Sequence, residues 1–229
     1  MDIFGSARLD QFNNDAAEIL WLHNSYGDPE EMPADIFFRD QSEMPDLELY
    51  ALKNCRGEIL DIGAGVGSHT LELQRSGFDI SALEISTVAC TIMRERGVKQ
   101  IINKDFFDFQ AKKYDTLLLL MNGIGLAGNI EKLSVLLNHC KKLLKKGGQI
   151  IFDSSDISYL YSDTSFPNEK YFGEISYQYE YKGVKGNWFD WVYVDSSLMA
   201  AVSLDLGFNY EIIFEDDHDQ YLARLSLRK

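Results

Sequence analysis

The chain has 229 residues, of which 45% are hydrophobic and 25% charged, and this composition favours one globular α/β domain over residues 1–229 rather than two small ones. A net charge of -14 argues against long-range attraction to nucleic acid or to anionic membranes, so we expect neither as a partner. Three widely spaced cysteines without a Cys-x-x-Cys pair indicate neither a disulfide framework nor a zinc site, and no metal is expected.

No stretch of the sequence is typical of a segment that enters a membrane. The N-terminal residues lack the apolar core of a signal peptide. The longest uninterrupted apolar run, residues 117–121, is too short to cross a bilayer. Because unpaired cysteines also suit the reducing cytosol, we expect a cytoplasmic protein.

Residues 1–51 precede the most informative part of the chain and are predicted to form an N-terminal helical cap. Residues 16–22 and 46–52 have the apolar spacing of helices, and the second of these follows a proline. Between them lie a loop over residues 26–33 and an aromatic segment over residues 36–40.

Residues 58–77 have the pattern of a buried strand, a glycine-rich loop and a helix start. The apolar run 59–62 has the length of a buried strand, and Gly63, Gly65 and Gly67 follow it. Glycine adopts positive φ easily and lets the backbone approach a ligand closely. The helix start offers unpaired N–H groups. The stretch therefore predicts a ligand cradle rather than a plain turn.

The glycine spacing separates two kinds of nucleotide loop. The dinucleotide fingerprint needs a third glycine at the position that Ser68 occupies here. Asp61 followed by alternating glycines instead resembles the first motif of the class I S-adenosylmethionine-dependent methyltransferases. The resemblance implies S-adenosyl-L-methionine as cofactor, with its methionine and ribose wrapped by Asp61, Gly63, Ala64, Gly65 and Gly67. N-terminal segments in this family often fold over the cofactor cleft, so residues 1–51 have two compatible roles: covering that cleft or burying a flank of the sheet.

A second strand is predicted over residues 78–83, and Glu84 follows it, twenty-one positions after Gly63. At this place in nucleotide-binding βαβ units an acidic side chain meets the ribose hydroxyls. A carboxylate suits a diol because it can accept two charge-assisted hydrogen bonds. Glu84 and its neighbour Ile85 are therefore assigned to the cofactor site.

A third strand over residues 99–103 follows a helix predicted over residues 87–95. Asp105 and Phe106 come directly after this strand, and they resemble the methyltransferase motif that meets the adenine. The resemblance implies that Asp105 accepts a hydrogen bond from the exocyclic amine and that Phe106 packs near the ring.

The fourth and fifth strands are predicted over residues 114–121 and 149–153, with a long amphipathic helix over residues 131–145 between them. Asn122 and Asp153 stand at the ends of these strands, where ligands of open α/β sheets bind. Both are candidate contacts for a methyl acceptor, and Asn122 is also a candidate cofactor contact. His69 and His139 are candidate bases by residue type, although a packed or solvated histidine is the commoner role in a helix.

The regular alternation ends after the fifth strand. Residues 171–195 are predicted to form an inserted hairpin with its turn at residues 183–186. A helix over residues 197–206 and a closing antiparallel pair over 210–215 and 221–227 follow. The fold class predicted is α/β, a doubly wound, Rossmann-like, mostly parallel sheet of seven strands, with the cofactor core at residues 52–156 and closing elements at residues 196–229.

Aromatic residues are concentrated in the predicted hairpin. Their number exceeds what one face of a solvent-exposed hairpin should carry. They include Trp188 and Trp191. Three roles stay open: an acceptor pocket roofed together with residues 37–39, a dimer interface, or packing against the core. The chain is accordingly expected to be a monomer or a homodimer.

The resemblance implies methyl transfer by in-line displacement, a reaction that depends mainly on positioning and needs no fixed constellation of catalytic residues. Asn122 is not followed by the proline-containing run of base-modifying aminomethyltransferases, and the same region lacks the Pro-Cys nucleophile of cytosine enzymes. A small-molecule acceptor is therefore expected. An NAD-dependent oxidoreductase and a non-catalytic S-adenosylmethionine-binding protein are the alternatives.

Overall fold

A computed structural model describes residues 2–14, 17–110, 112–163 and 165–228. Within these ranges the α-helices are α1 (Ile3–Asn13), α2 (Asp46–Asn54), α3 (Ser68–Arg75), α4 (Thr87–Arg96), α5 (Ile130–Leu143) and α6 (Ser196–Asp205). The strands are β1 (Leu20–Asn24), β2 (Glu30–Met32), β3 (Ile59–Ile62), β4 (Ile80–Glu84), β5 (Ile101–Asn103), β6 (Tyr114–Leu119), β7 (Leu144–Ser155), β8 (Glu174–Tyr181), β9 (Val184–Lys185), β10 (Phe189–Val192), β11 (Phe208–Glu215) and β12 (Gln220–Leu227).

Seven of these strands form a mixed sheet in the order β11-β12-β7-β6-β3-β4-β5. The pairs β4–β5 and β6–β7 are parallel, whereas β12 is antiparallel to both β7 and β11. Every residue of β3 and β4 is buried, as expected for continuous apolar runs in a sheet that is covered on both faces. The prediction of a seven-stranded α/β sheet is confirmed.

A second, antiparallel sheet has the strand order β10-β8-β1-β2, with β9 paired to β8. The turn between β8 and β9 holds Lys182 and Gly183 at φ values of 50° and 72°. Two successive positive φ values are typical of the tightest β-hairpins. The strands therefore fall within the predicted hairpin at residues 171–195, with the turn slightly earlier than residues 183–186. That this segment is an insertion in the family stays a prediction.

The chain divides into two compact units. Unit 1 comprises Met1–Met44, Asp61–Phe109 and Ser176–Phe189, and unit 2 comprises Pro45–Leu60, Gln110–Ile175 and Asp190–Lys229. The glycine loop and Glu84 belong to unit 1, whereas Asn122 and Asp153 belong to unit 2. The assignment of residues 1–229 to a single domain stays a prediction.

The N-terminal helical cap predicted over residues 1–51 contains strands as well as helices: the predicted helix over residues 46–52 is part of α2, but the first predicted helix is wrong. The helix predicted over residues 16–22 begins at Ala16, which lies outside the described residues, and Leu20–Asn24 is strand β1. Its residues alternate between buried and half-buried, as they do in a strand whose two faces are covered to different extents, and it pairs with β2 and β8 on either side. Pairing partners distant in sequence override a local helical pattern here. The helix actually present near the N-terminus is Ile3–Asn13, which the sequence did not predict.

The long helix also ends earlier than predicted, at Leu143 rather than at residue 145. The following residues, including Gly147 and Gly148, already belong to β7, so this strand is longer than residues 149–153. The buried face of α5 is as predicted, with Leu133, Leu136, Leu137 and Cys140 all inaccessible.

None of the helices in the described ranges combines the length and apolarity that crossing a bilayer requires. The cytoplasmic location stays a prediction. Cys55, Cys90 and Cys140 are buried free thiols. Burial raises the pKa of the Cys90 thiol to about 11 and that of the Cys140 thiol to about 12, so neither is a reactive thiolate at neutral pH.

Candidate functional site

The glycine loop between β3 and α3 uses a left-handed backbone at each of its three glycines. The φ values are 72° at Gly63, 58° at Gly65 and 87° at Gly67. A Cβ on Gly67 would lie 2.9 Å from the Val98 side chain and 3.0 Å from that of Met93, so this glycine permits close packing of the loop. Of the atoms that the structure describes, the nearest to a Cβ on Gly65 would be a terminal nitrogen of Arg8, at 3.5 Å.

Glu84 is held directly against this loop. One of its carboxylate oxygens accepts a hydrogen bond from the Gly65 backbone N–H at 2.8 Å, and the other accepts one from the Ser86 N–H at 2.8 Å. The Leu83 carbonyl accepts from Gly63 and Ala64 at 2.9 and 3.1 Å, which joins the end of β4 to the loop. The structure therefore brings together two features that the sequence placed about twenty residues apart.

Asp61 at the end of β3 is buried and accepts a hydrogen bond from the Thr70 hydroxyl at 2.6 Å. Burial raises the pKa of Asp61, and the nearby His69 and the Thr70 hydroxyl oppose that rise. Asp61 thus links β3 to the first turn of α3. The candidate base His69 is buried on the same turn, close enough to act on Asp61 electrostatically.

The residues predicted to meet an adenine lie beyond the paired ends of β4 and β5, where Glu84 is in register with Asn103. The Asn103 amide donates to the carbonyl oxygens of Glu84 and Ile85, at 3.0 and 2.9 Å. Ile85 is 65% exposed. Asp105 is half-buried and accepts from the Phe107 N–H at 2.8 Å. Phe106 itself is buried.

The N-terminal part of unit 1 is bonded directly to the glycine loop. The Ser68 hydroxyl donates to the Phe37 carbonyl at 2.7 Å. The Arg96 guanidinium donates to the Val66 carbonyl at 2.7 Å and to the Phe38 carbonyl at 3.3 Å. The apolar residues packed around Val66 and the start of α4 include Leu9, Phe12, Phe37, Phe38 and Val88.

In unit 2, two candidates that the sequence places at strand ends are bonded to each other. Asn122 lies shortly after the end of β6, whereas Asp153 lies within β7 rather than at its end. The Asn122 backbone N–H lies 3.0 and 2.9 Å from the two Asp153 carboxylate oxygens. Asn122 and the preceding Met121 both have positive φ, 55° and 58°. Sparsely populated backbone conformations of this kind cluster at functional sites. The Asn122 side-chain amide donates to the Val192 carbonyl at 3.3 Å, and within the described ranges its buried side-chain oxygen has no hydrogen-bond partner.

The aromatic residues of the predicted hairpin have different environments. The Trp191 indole lies against Gly125, where a Cβ would be 2.0 Å from the indole nitrogen. Trp188 in contrast is 53% exposed. Tyr179 stacks on Phe4 with ring centroids 4.5 Å apart. Packing against the rest of its unit is therefore observed for Trp191 and Tyr179. His139 lies half-buried on α5.

Residues 37–201 match the family described as methyltransferase domain. The chain belongs to the class I S-adenosylmethionine-dependent methyltransferase family. At 40% identity, it resembles the crystal structure of an S-adenosylmethionine-dependent methyltransferase from Bacteroides fragilis in complex with S-adenosyl-L-homocysteine. That match covers 100% of this chain and 95% of the other, with a TM-score of 0.93.

More distant methyltransferase structures share the fold alone. The CcbJ methyltransferase from Streptomyces caelestis is 12% identical with a TM-score of 0.63, and the match covers 82% of this chain and 94% of that one. The sugar N-methyltransferase KedS8 from a Streptoalloteichus species is 15% identical with a TM-score of 0.59, over 90% and 96% of the two chains. No curated protein matches the sequence.

Because the chain belongs to the methyltransferase family, the oxidoreductase alternative is dropped. The structure shows what Ser68, the residue that disfavoured this alternative, does instead. Ser68 stands where a dinucleotide loop has its third glycine, and its hydroxyl bonds the Phe37 carbonyl of the N-terminal segment. A glycine at this position of the methyltransferase would remove that bond.

The sequence analysis missed one residue beside the glycine loop. Arg8 lies on α1 and is 6% exposed, and one of its terminal nitrogens is the atom 3.5 Å from a Cβ on Gly65. Helix α1 was missed because its residues include Gly5 and Ser6 and show no apolar face. A usable signal was Asp2, which caps α1 by accepting from the Gly5 N–H at 2.7 Å.

Proposed function

We propose that this methyltransferase transfers the methyl group of S-adenosyl-L-methionine to a small-molecule acceptor by in-line displacement. When bound, the cofactor supplies a methyl group that its sulfonium has already activated. The observation that carries the proposal is the glycine loop with the Glu84 carboxylate fixed 2.8 Å from the Gly65 N–H. This is the arrangement of a nucleoside cradle, with open backbone on one side and a carboxylate for a diol on the other.

The donor set of unit 1 fits the parts of this cofactor. Each Glu84 oxygen accepts one backbone N–H, and a carboxylate has about four acceptor positions, so capacity remains for two ribose hydroxyls. The exposed Ile85 offers an apolar surface that an adenine ring would cover. We assign Asp105 and Phe106 to the same ring, and we assign Gly63, Ala64, Gly65 and Gly67 to the methionine and ribose portion.

Asp61 has a different proposed role within this site. It is buried and accepts the Thr70 hydroxyl at 2.6 Å, so it fixes the start of α3 relative to β3. We therefore assign it to holding the glycine loop in shape. His69 belongs to the same local arrangement and is not proposed as a base.

We assign contact with the acceptor to Asn122. No described residue bonds its buried side-chain oxygen, and Asn122 lies shortly after the end of β6, on the side where ligands of open α/β sheets bind. An amine or hydroxyl that donates its hydrogen to this oxygen keeps a lone pair for the methyl group. The Asp153 carboxylate accepts from the Asn122 backbone, so we assign it to positioning Asn122 rather than to proton removal.

The proposed acceptor is a small molecule rather than nucleic acid, because a net charge of -14 repels a polyanion. Catalysis is tested by incubating the protein with a metabolite extract and S-adenosylmethionine carrying a deuterated methyl group. Mass spectrometry should show one labelled product that forms together with S-adenosylhomocysteine. If the protein binds the cofactor but labels nothing in any extract, the non-catalytic alternative is favoured.

The Asn122 assignment is tested in the same assay with Asn122→Gly. Glycine tolerates the positive φ and keeps the backbone N–H that bonds Asp153, so only the side-chain amide is removed. We expect product formation to fall at least about tenfold while affinity for S-adenosylhomocysteine stays within about threefold. Full turnover in the variant would remove Asn122 from the acceptor site.

A further inference from the structure

Arg8 is a buried cation whose hydrogen-bonding capacity is not used. The residue is 6% exposed, and its Nε and one Nη have no hydrogen-bond partner among the described residues. Leaving such donors unsatisfied costs free energy, more so for a charged group, and each case in a native structure requires an explanation. Since an arginine stays protonated, these N–H groups cannot be removed by deprotonation.

The described residues around Arg8 stabilise its charge but do not bond these two nitrogens. Its guanidinium carbon lies 3.4 Å from the ring centroid of Phe4 and 5.0 Å from that of Phe37. Such cation–π contacts favour a cation over an aromatic face without engaging the edge of the guanidinium plane. Burial lowers the pKa of Arg8, and the negative charge of Glu84 opposes that effect.

The partnerless Nη lies beside the glycine loop, 3.5 Å from the position of a Cβ on Gly65. Helix α1 is fixed there at its N-terminus, because the Asp2 side chain both caps α1 and accepts from the hydroxyl of Ser86. Ser86 in turn caps α4, accepting from the Ala89 N–H at 3.0 Å. Arg8 is thus presented to the loop by a helix anchored next to Glu84.

We propose that Arg8 binds the carboxylate of the amino-acid portion of S-adenosylmethionine. This inference rests on the proposed cofactor. The carboxylate is the cofactor's only anionic group, and the planar fork of a guanidinium matches its two oxygens. The ammonium and the sulfonium are cations and repel Arg8. Helix α1 is then part of the cofactor site, and it distinguishes the intact cofactor from nucleosides that lack an amino acid.

The test is a double-mutant cycle between Arg8 and the carboxylate, measured by isothermal titration calorimetry. The ligands are S-adenosylhomocysteine and its decarboxylated form, which keeps the adenosine, the thioether and the amine. The proteins are the wild type and Arg8→Met, since methionine retains an apolar stem against Phe4 without the charge. The wild type should prefer the intact ligand by at least about tenfold, and Arg8→Met should lose most of that preference.

Arg96→Met is the matched control, because Arg96 lies in the same unit and donates to backbone carbonyls of the loop and the N-terminal segment. Any loss of affinity in Arg96→Met should be equal for both ligands. If Arg8→Met does not fold, Arg8→Lys replaces it and should keep an intermediate preference, since an ammonium makes a point contact rather than a fork.

Two results would overturn the proposal. One is a wild type that binds the decarboxylated ligand as tightly as the intact one. The other is an Arg8 variant that keeps the full preference for the carboxylate. Either result leaves the cofactor itself established, whereas a wild type that binds neither ligand contradicts the proposed function.

Discussion

The third glycine of the loop provides the sharpest test of how the sequence builds the site. Gly67 and Gly77 both have φ of 87°, so alanine is strained equally at both positions. They differ in the space around them. A Cβ at Gly67 would lie 2.9 Å from Val98 Cγ2 and 3.0 Å from Met93 Cγ, whereas one at Gly77 would meet no atom of the described residues within 4 Å.

The expected losses follow from these two contributions. A non-glycine residue in the left-handed region costs about 1–2 kcal/mol, and this cost applies to both variants. Overpacking a filled interior costs about 1–3 kcal/mol more and applies only to Gly67→Ala. Gly77→Ala should therefore destabilise the protein by about 1–2 kcal/mol, and Gly67→Ala by about 2–5 kcal/mol.

The free energy of unfolding of both variants and the wild type can be measured by urea titration, with the slope of each transition checked for constancy. Replacing glycine by alanine also lowers the conformational entropy of the unfolded chain. This contribution is the same in both variants, so it cancels when their free energies of unfolding are compared. Equal losses would refute the inference that Gly67 serves packing. A Gly67→Ala variant with wild-type stability that had lost affinity for S-adenosylhomocysteine would show that the proposed contact with the cofactor, rather than packing, requires glycine at this position.

Two further substitutions test the carboxylates of unit 1. Glu84→Gln keeps an oxygen for a backbone N–H but removes the charge. Calorimetry should therefore show S-adenosylhomocysteine binding at least about tenfold weaker. Unchanged affinity in the folded variant would mean that Glu84 has only a structural role. Burial raises the pKa of Asp61 in the native state. Between the unfolded-state and native-state pKa values of this carboxyl, the native state therefore binds more protons than the unfolded state. The free energy of unfolding should fall as pH rises through this range. Asp61→Asn should flatten this part of the curve of unfolding free energy against pH. An unaltered curve would contradict the raised pKa of Asp61.

The sequence predicts best the elements whose signal is local. The loop after β3 and the acidic end of β4 follow from glycine spacing and chain distance, and the structure joins them through the Gly65–Glu84 bond. The buried face of α5 follows from helical periodicity, and β6 follows from its continuous apolar run. The closing pair β11–β12 follows from two strand patterns around a polar turn.

The remaining features depend on contacts between distant parts of the chain. The residues of β1 have an apolar spacing that predicted a helix. They form a strand because β8, about 150 residues later, pairs with them. Arg8 was missed, since nothing local shows that α1 is anchored at Ser86. Asn122 was predicted after a strand end and lies there, but Asp153 was predicted at a strand end and lies within β7, and the bond between the two follows only from the structure.

The most direct test of the cofactor assignment is calorimetric titration of the wild-type protein with S-adenosylhomocysteine and, separately, with NAD. We expect saturable binding of S-adenosylhomocysteine at one site. At a hundredfold excess over the dissociation constant, this binding should raise the free energy of unfolding by about 2.7 kcal/mol. NAD should bind at no concentration tested and should leave the unfolding transition unchanged. Saturable binding of NAD together with no heat from S-adenosylhomocysteine would contradict the assignment of the Gly63–Glu84 cradle.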